Sequence, residues 1–145
     1  MKKPDSLRRA LTEAVSHLRE NPDHLHIFVD DGSMVSTLAP SLSWEYRYTL
    51  NMMVTEFAGD QNLLMATVLS WMREHQPDVM ANPELRNSSI SFEAVILNNN
   101  TCDLSIDLKL TERIVVSPSG ENMVVEAVPE PYNPELRDDY WLTSK

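Results

Sequence analysis

The 145-residue sequence predicts an α+β fold: an antiparallel or mixed β-sheet of about four to five strands, with two main helices packed on one face. Three observations carry this prediction. Apolar residues recur with a helical period in the first twenty residues, and large apolar residues alternate with charged or polar ones from Trp44 to Met52 in SWEYRYTLNMMVTEF. Two further alternating segments flank Asn98-Asn99-Asn100. Each element has its own local reason.

Leu7, Leu11, Ala14, Val15 and Leu18 share one side of a 3.6-residue period, with Arg8, Arg9, Glu13 and Glu20 largely opposite. Asp5-Ser6 offers a cap and Asn21-Pro22 a stop, so a helix is expected over residues 6–20. HLHIF with Val29 reads as a short strand, and Asp30-Asp31-Gly32 as a turn. Met34, Val35 and Leu38 begin a second strand or a loop; Pro40 argues for an edge, a bulge or a loop. In the next segment Trp44, Tyr46, Tyr48, Leu50, Met52 and Val54 fall on one face, and Glu45, Arg47, Thr49, Asn51 and Thr55 on the other. At roughly 3.3 Å per residue such a strand is about 40 Å long, more than a compact domain of this size needs.

Asp60 is an N-cap signal for a second helix running to Gln76, where Pro77 stops it. Leu64, Val68, Trp71 and Met72 form its inward side, while Arg73, Glu74, His75 and Gln76 read as solvated. Residues 78–88 read as a loop with a turn of helix. Ile90, Phe92, Ala94 and Ile96 then alternate with Ser91, Glu93, Val95 and Leu97; Leu104, Ile106, Leu108 and Leu110 alternate with Asp103, Ser105, Asp107 and Lys109. The polar turn between the two segments makes them an antiparallel hairpin with one apolar face. Val115-Val116, a Pro118-Ser119-Gly120 turn and residues 123–128 give one further strand. The organisation is therefore one domain over residues 1–128 and a proline-containing acidic tail over 129–145.

Composition narrows the function classes. A net charge of -10 and a pI near 4.7 disfavour specific nucleic-acid binding, which concentrates Lys and Arg. The apolar runs fall short of the roughly 20 residues that cross a bilayer, and Pro4 and Asp5 interrupt any leader-like start, so the sequence reads as soluble and without a membrane partner. Cys102 has no second thiol to pair with, in keeping with a reducing compartment. Lys2, Lys3, Arg8, Arg9 and Arg19 make the first twenty residues slightly positive, so the acidic excess lies beyond them. Head-to-tail contact between subunits, or contact with a differently charged partner, would exploit such asymmetry; ordinary solubility is the plain alternative.

Motifs for chemistry are weak. His24 and His26, two apart, share a face if both lie on a strand, but a zinc site needs more ligands than this pair. The DDG triplet lacks the donor series of a calcium loop. Each glycine stands alone, and phosphate-loop and nucleophile-elbow patterns are missing from the sequence. Cys102 lacks a neighbouring base. No catalytic, metal or cofactor site is therefore expected, and enzyme activity is not. Interaction features are stronger: the aromatic strand, Met53, and the terminal Tyr140-Trp141-Leu142 carry more apolar surface than a small monomer needs.

Five segments extend this reading: KPDSLRRALTEAV from Lys3, NPDHLHIFVDDGS from Asn21, SLSWEYRYTLNMMVTEFAGD from Ser41, LSWMREHQPDVM from Leu69 and DLSIDLKLTERIVV from Asp103. In this order, over most of the chain, they resemble the tail completion protein R family of temperate phages with contractile tails. The resemblance implies a tail-terminator-like structural protein in the virion tail, assembled in the host cytoplasm and acting at the head-proximal end. It implies α/β subunits in a hexameric ring that caps the last tube or sheath ring and lets the tail join a head. Implied partners are further copies of itself, the tail tube or sheath protein, and a neck or head-completion protein. A monomeric tail-assembly chaperone or adaptor is the alternative. The interface candidates are Arg8 and Arg9 on the first helix, Trp44, Glu45, Tyr46, Arg47 and Tyr48 on the long strand, and Tyr140 and Trp141 in the tail.

Overall fold

A computed structural model describes residues 1–38, 40–86, 88–119 and 122–129. Five strands form one antiparallel sheet: β1 (Leu25–Val35), β2 (Trp44–Phe57), β3 (Ile90–Ile96), β4 (Cys102–Ser119) and β5 (Asn122–Val128). The α+β expectation is met, and the sheet is antiparallel rather than mixed. The path runs β1-β2-β4-β3, with β5 added to β4. Arg113 and Ile114 pair with Glu45 and Trp44 of β2 and also with Val128 and Ala127 of β5. A strand residue has only two flanks, so β5 lies on the same edge of β4 as β3, further along it.

Two helices, α1 (Lys3–Ala14) and α3 (Gln61–His75), cover the sheet's centre. Leu7 and Leu11 from α1, with Leu64, Val68, Trp71 and Met72 from α3, meet Tyr48, Leu50, Met52 and Val54 of β2 and Leu104, Ile106, Leu108 and Leu110 of β4 in one buried cluster. The even-numbered row read from β2 thus supplies the core from Tyr48 to Val54. Trp44 and Tyr46, at the strand's start, are only half-buried.

The first helix differs from expectation. It starts at Lys3, with Pro4 in its first turn, and breaks at Val15, whose extended φ of -113° separates it from α2 (Ser16–Glu20). The break leaves the carbonyls of Thr12 and Glu13 without helical partners. The Arg19 guanidinium donates to both, at 3.2 and 3.0 Å. Ser6, expected as a cap, accepts from the Trp71 indole at 3.1 Å and locks α1 to α3. Asp60 does cap α3, accepting from the backbone N–H of Asn62 and Leu63. Residues 78–88 hold two short helices, α4 (Asp78–Ala81) and α5 (Pro83–Arg86).

The DDG triplet is a bulge in a continuous strand rather than a turn. Asp31 and Gly32 of β1 face only Tyr48 between the pairs Asp30 to Thr49 and Ser33 to Arg47, and Asp31 sits in the left-handed region at φ 52°. A second bulge places Thr55 and Glu56 against Asp103 alone, with Glu56 at φ 49° and its N–H on the Asp103 carboxylate. This two-for-one count restores Phe57 to the core side, where it is 1% exposed.

Gln76 corrects another expectation. Instead of facing water it is 1% exposed. Its carboxamide oxygen accepts from Lys3 Nζ at 2.6 Å and from the Thr111 N–H at 3.1 Å, and its nitrogen donates to Thr111 Oγ1 at 2.8 Å. Lys3 Nζ also donates to the Thr111 carbonyl. Between the stretches of β4 covered by β3 and β5, these two side chains satisfy backbone groups that a strand would otherwise pair.

Candidate functional site

The sheet's two long edges are its most distinctive surfaces. Both are apolar on both faces. On β1, register with β2 puts Val29 and Met34 on the helix side and Phe28 and Val35 on the other. They are 39, 62, 52 and 39% exposed respectively. On β5, Met123 and Val125 face the helix side and Val124 and Val128 the other, again all exposed. On a strand of a free-standing sheet one of these faces would normally be polar. Neither edge is covered by another strand among the described residues. β3 adds Phe92 and Ile96, which lie in register with Ile106 and Cys102 on the helix side. The sequence reading made this row a core face; only Ile90 packs against the core, because the helices stop over β2 and β4.

The residues singled out from sequence scatter across this frame. Tyr48 is interior, 5% exposed, and donates its hydroxyl proton to Glu112 Oε2 at 2.6 Å. Burial first, then the hydrogen bond to Glu112 and that carboxylate's charge, push the Tyr48 phenol well above its ordinary pKa of 10.0. Glu112 also accepts from the Lys2 backbone N–H at 2.7 Å, so one buried carboxylate ties the start of α1 to the sheet. Arg8 is half-buried and donates to the Leu25 carbonyl; Arg9 is exposed.

Trp44 and Tyr46 meet edge to face at 5.7 Å. The Trp44 indole nitrogen is buried without a hydrogen-bond partner among the described residues. Glu45 and Arg47 form an ion pair at 3.2 Å on the opposite, helix-free face. Of the sequence-derived set, Arg9 and Arg47 are therefore exposed, Arg8, Trp44, Glu45 and Tyr46 are half-buried, and Tyr48 is interior. Tyr140 and Trp141 lie outside the described residues.

The histidines do not gather as a strand pair. His24 ends a 3₁₀ turn (Pro22–His24) and lies 3.3 Å from His17, while His26 is on the strand and stacks near Phe28. Among the described residues no three His, Cys, Asp or Glu side chains are grouped as metal ligands. The buried Cys102 sulfur accepts from Gln61 Nε2 at 3.1 Å. No helix among the described residues is long and apolar enough to cross a membrane.

Sequence reasoning passed over the edge residues themselves. A signal was present: Phe28-Val29, Val95-Ile96-Leu97 and Met123-Val124-Val125 are consecutive apolar residues, which in a strand must occupy both faces.

Comparison with known proteins agrees with the segment-level resemblance. The chain is 54% identical over 135 residues to tail completion protein R of Escherichia phage P2, covering 93% of this chain and 87% of that protein. No solved structure matches it. The family model of P2 phage tail completion protein R (GpR) matches residues 1–131, and the chain belongs to that family.

Proposed function

We propose that the protein is a structural phage tail completion protein, a component of the virion tail that closes its head-proximal end as a ring and prepares it to join a head. Family membership and the 54% identical relative support the completion role. The observation that carries the ring is the pair of open sheet edges, β1 at one side and β5 at the other, each with apolar residues on both faces. Because these are opposite edges of one sheet, joining β5 of one copy to β1 of the next is a head-to-tail contact. Repeated with a constant rotation it closes a ring. Neighbours that keep the same up-down sense meet with β5 antiparallel to β1, the more stable pairing. Burying the edges also removes the hazard they pose on a monomer.

Six copies is the number that the resemblance to tail terminators implies. The ring seats on the last subunits of a contractile tail's tube or sheath, and its other side meets a neck or head-completion protein. An acidic inner wall lets DNA pass without adhering.

The role is tested by complementation. A P2-type phage lacking its tail completion protein R is grown with or without this chain supplied from a plasmid. Restored infectious particles, with the protein present in purified virions, are expected. Joined, infectious particles at equal yield without the chain, or restored yield with no copies in the virion, would overturn the structural reading and the second would favour a departing chaperone.

A further inference from the structure

We infer that β3 is a strand-accepting edge, whose open side takes an extended segment of a partner protein in which apolar residues alternate with Lys or Arg. β3 pairs with β4 on one flank only, so every second residue turns its N–H and C=O outward. Next to β3, in the gap before β5, side chains seal such groups: Lys3 Nζ and the Gln76 carboxamide take up the carbonyl and the N–H of Thr111. Among the described residues no side chain seals the outer edge of β3 in this way. Its sequence, ISFEAVI, also lacks the Lys, Pro or bulge that protects an edge strand, whereas β1 carries a bulge at Asp31 and Gly32.

The side chains on its two faces describe the strand that fits. On the helix side Phe92 is 63% and Ile96 68% exposed, with Ala94 exposed between them. Beyond Ile96 this row opens into a hollow of about 370 Å³ shared with Phe57 and Gly59. On the other face Glu93 is exposed, and Val95 and Ser91 stand beside Asp103 and Asp107 of β4. Level with residues 102–108, that face holds no Lys or Arg on any of its four strands. An added strand would lay one row of side chains over Phe92 and Ile96 and the other beside Glu93. Backbone pairing supplies affinity in this mode, and alternate side chains supply specificity. The apolar row calls for apolar partners, and the acidic face for cationic ones.

A second copy fits this edge poorly. The free edge strands β1 and β5 carry Asp30, Asp31 and Glu126 and no Lys or Arg, so they would bring acid to acid. The proposed ring also leaves β3 open. Through β2, residues 25–35 of β1 lie level with Leu104 to Arg113, ten positions of β4. Laid along β5 from the level of Ser119, a neighbour's β1 ends at Leu110, short of Leu108 where β3 begins. The inference does not require the ring, since β3 is an open edge in the single chain.

The test uses the full-length protein and a short fluorescent peptide of alternating valine and lysine. Saturable binding by anisotropy is expected, weakened about tenfold by Phe92→Lys and by Glu93→Lys, and about tenfold weaker for a peptide alternating valine and glutamate. Both substituted positions are exposed, so the variants keep the fold. N-methylating every valine blocks one edge of the peptide strand, and N-methylating every lysine blocks the other; one should abolish binding and the other spare it. Hydrogen exchange should show residues 90–96 protected when the peptide binds. Binding unchanged in both variants, the two methylated peptides behaving alike, protection on β1 or β5 in place of β3, or residues 90–96 fully protected in the free monomer would overturn the assignment. Self-association of the free protein that Phe92→Lys abolishes would overturn it in favour of a second copy. Ring formation is read separately by native mass spectrometry of Met34→Lys, which leaves β3 untouched, so either reading can fail while the other stands.

Discussion

Replacing Tyr48 by Phe tests how the start of α1 is held to the sheet. Phe fills the same volume, so the core loses only the hydroxyl and its 2.6 Å bond to Glu112 Oε2. Glu112 is 5% exposed and would retain the Lys2 N–H as its donor. Hydrogen bonds to a charged group contribute roughly 1.5–3 kcal/mol, and a buried acceptor left short of donors costs more than the mean exchange of bonds. The expected loss is about 2 kcal/mol at neutral pH. With a urea slope of about 2 kcal/mol/M, the unfolding midpoint falls by about 1 M at unchanged slope. In a cycle with Glu112→Gln, the two substitutions should couple by about 1 kcal/mol or more, because each removes part of the same bond. A loss below about 0.5 kcal/mol with negligible coupling would refute the buried-carboxylate argument.

Four further outcomes follow from the same geometry. Since the folded phenol of Tyr48 stays neutral where an unfolded tyrosine ionises, the unfolded chain binds fewer protons above pH 10. Stability should fall there by up to ~1.4 kcal/mol per pH unit from this group, and denaturant titrations of Tyr48→Phe should show that extra slope missing. A Cβ on Gly59 would lie 2.8 Å from Phe57 Cζ, and that ring is packed at 1% exposure, so Gly59→Ala should cost about 1–2 kcal/mol, read as a lower thermal midpoint. Gln76→Leu leaves the Thr111 N–H and Lys3 Nζ without the carboxamide oxygen and should cost about 2–4 kcal/mol in urea unfolding. Met34→Lys on β1 and Val125→Lys on β5 sit on exposed positions; each should leave monomer stability within about 0.5 kcal/mol yet abolish ring formation by native mass spectrometry.

The parts legible in the sequence were those governed by local rules. Alternation fixed which side of β2 faces the core, the Asp60 cap and Pro77 bracketed α3, and Asn98 to Asn100 marked the β3–β4 hairpin. What escaped depended on tertiary geometry. Asp30-Asp31-Gly32 carries a turn signal, but pairing on to Val35 makes it a bulge. Gln76 looks like a solvated helix end until Thr111 and Lys3 arrive from distant parts of the chain. The alternating β3 row looks like core because sequence cannot say how far two helices reach across a sheet. For the site, the aromatic β2 segment drew attention to a strand that is largely interior, with Tyr48 spent on Glu112. The exposed edges were encoded more quietly, in consecutive apolar pairs on β1, β3 and β5.

The central claim is that copies of this chain join edge to edge and cap a tail. Native mass spectrometry of the purified protein, alone and after mixing with tail tubes carrying open ends, tests it most directly. A six-fold mass, free or recovered on the tubes and lost in both Met34→Lys and Val125→Lys, is the predicted result. Monomer alone in both conditions, with nothing retained on the tubes, would contradict the account.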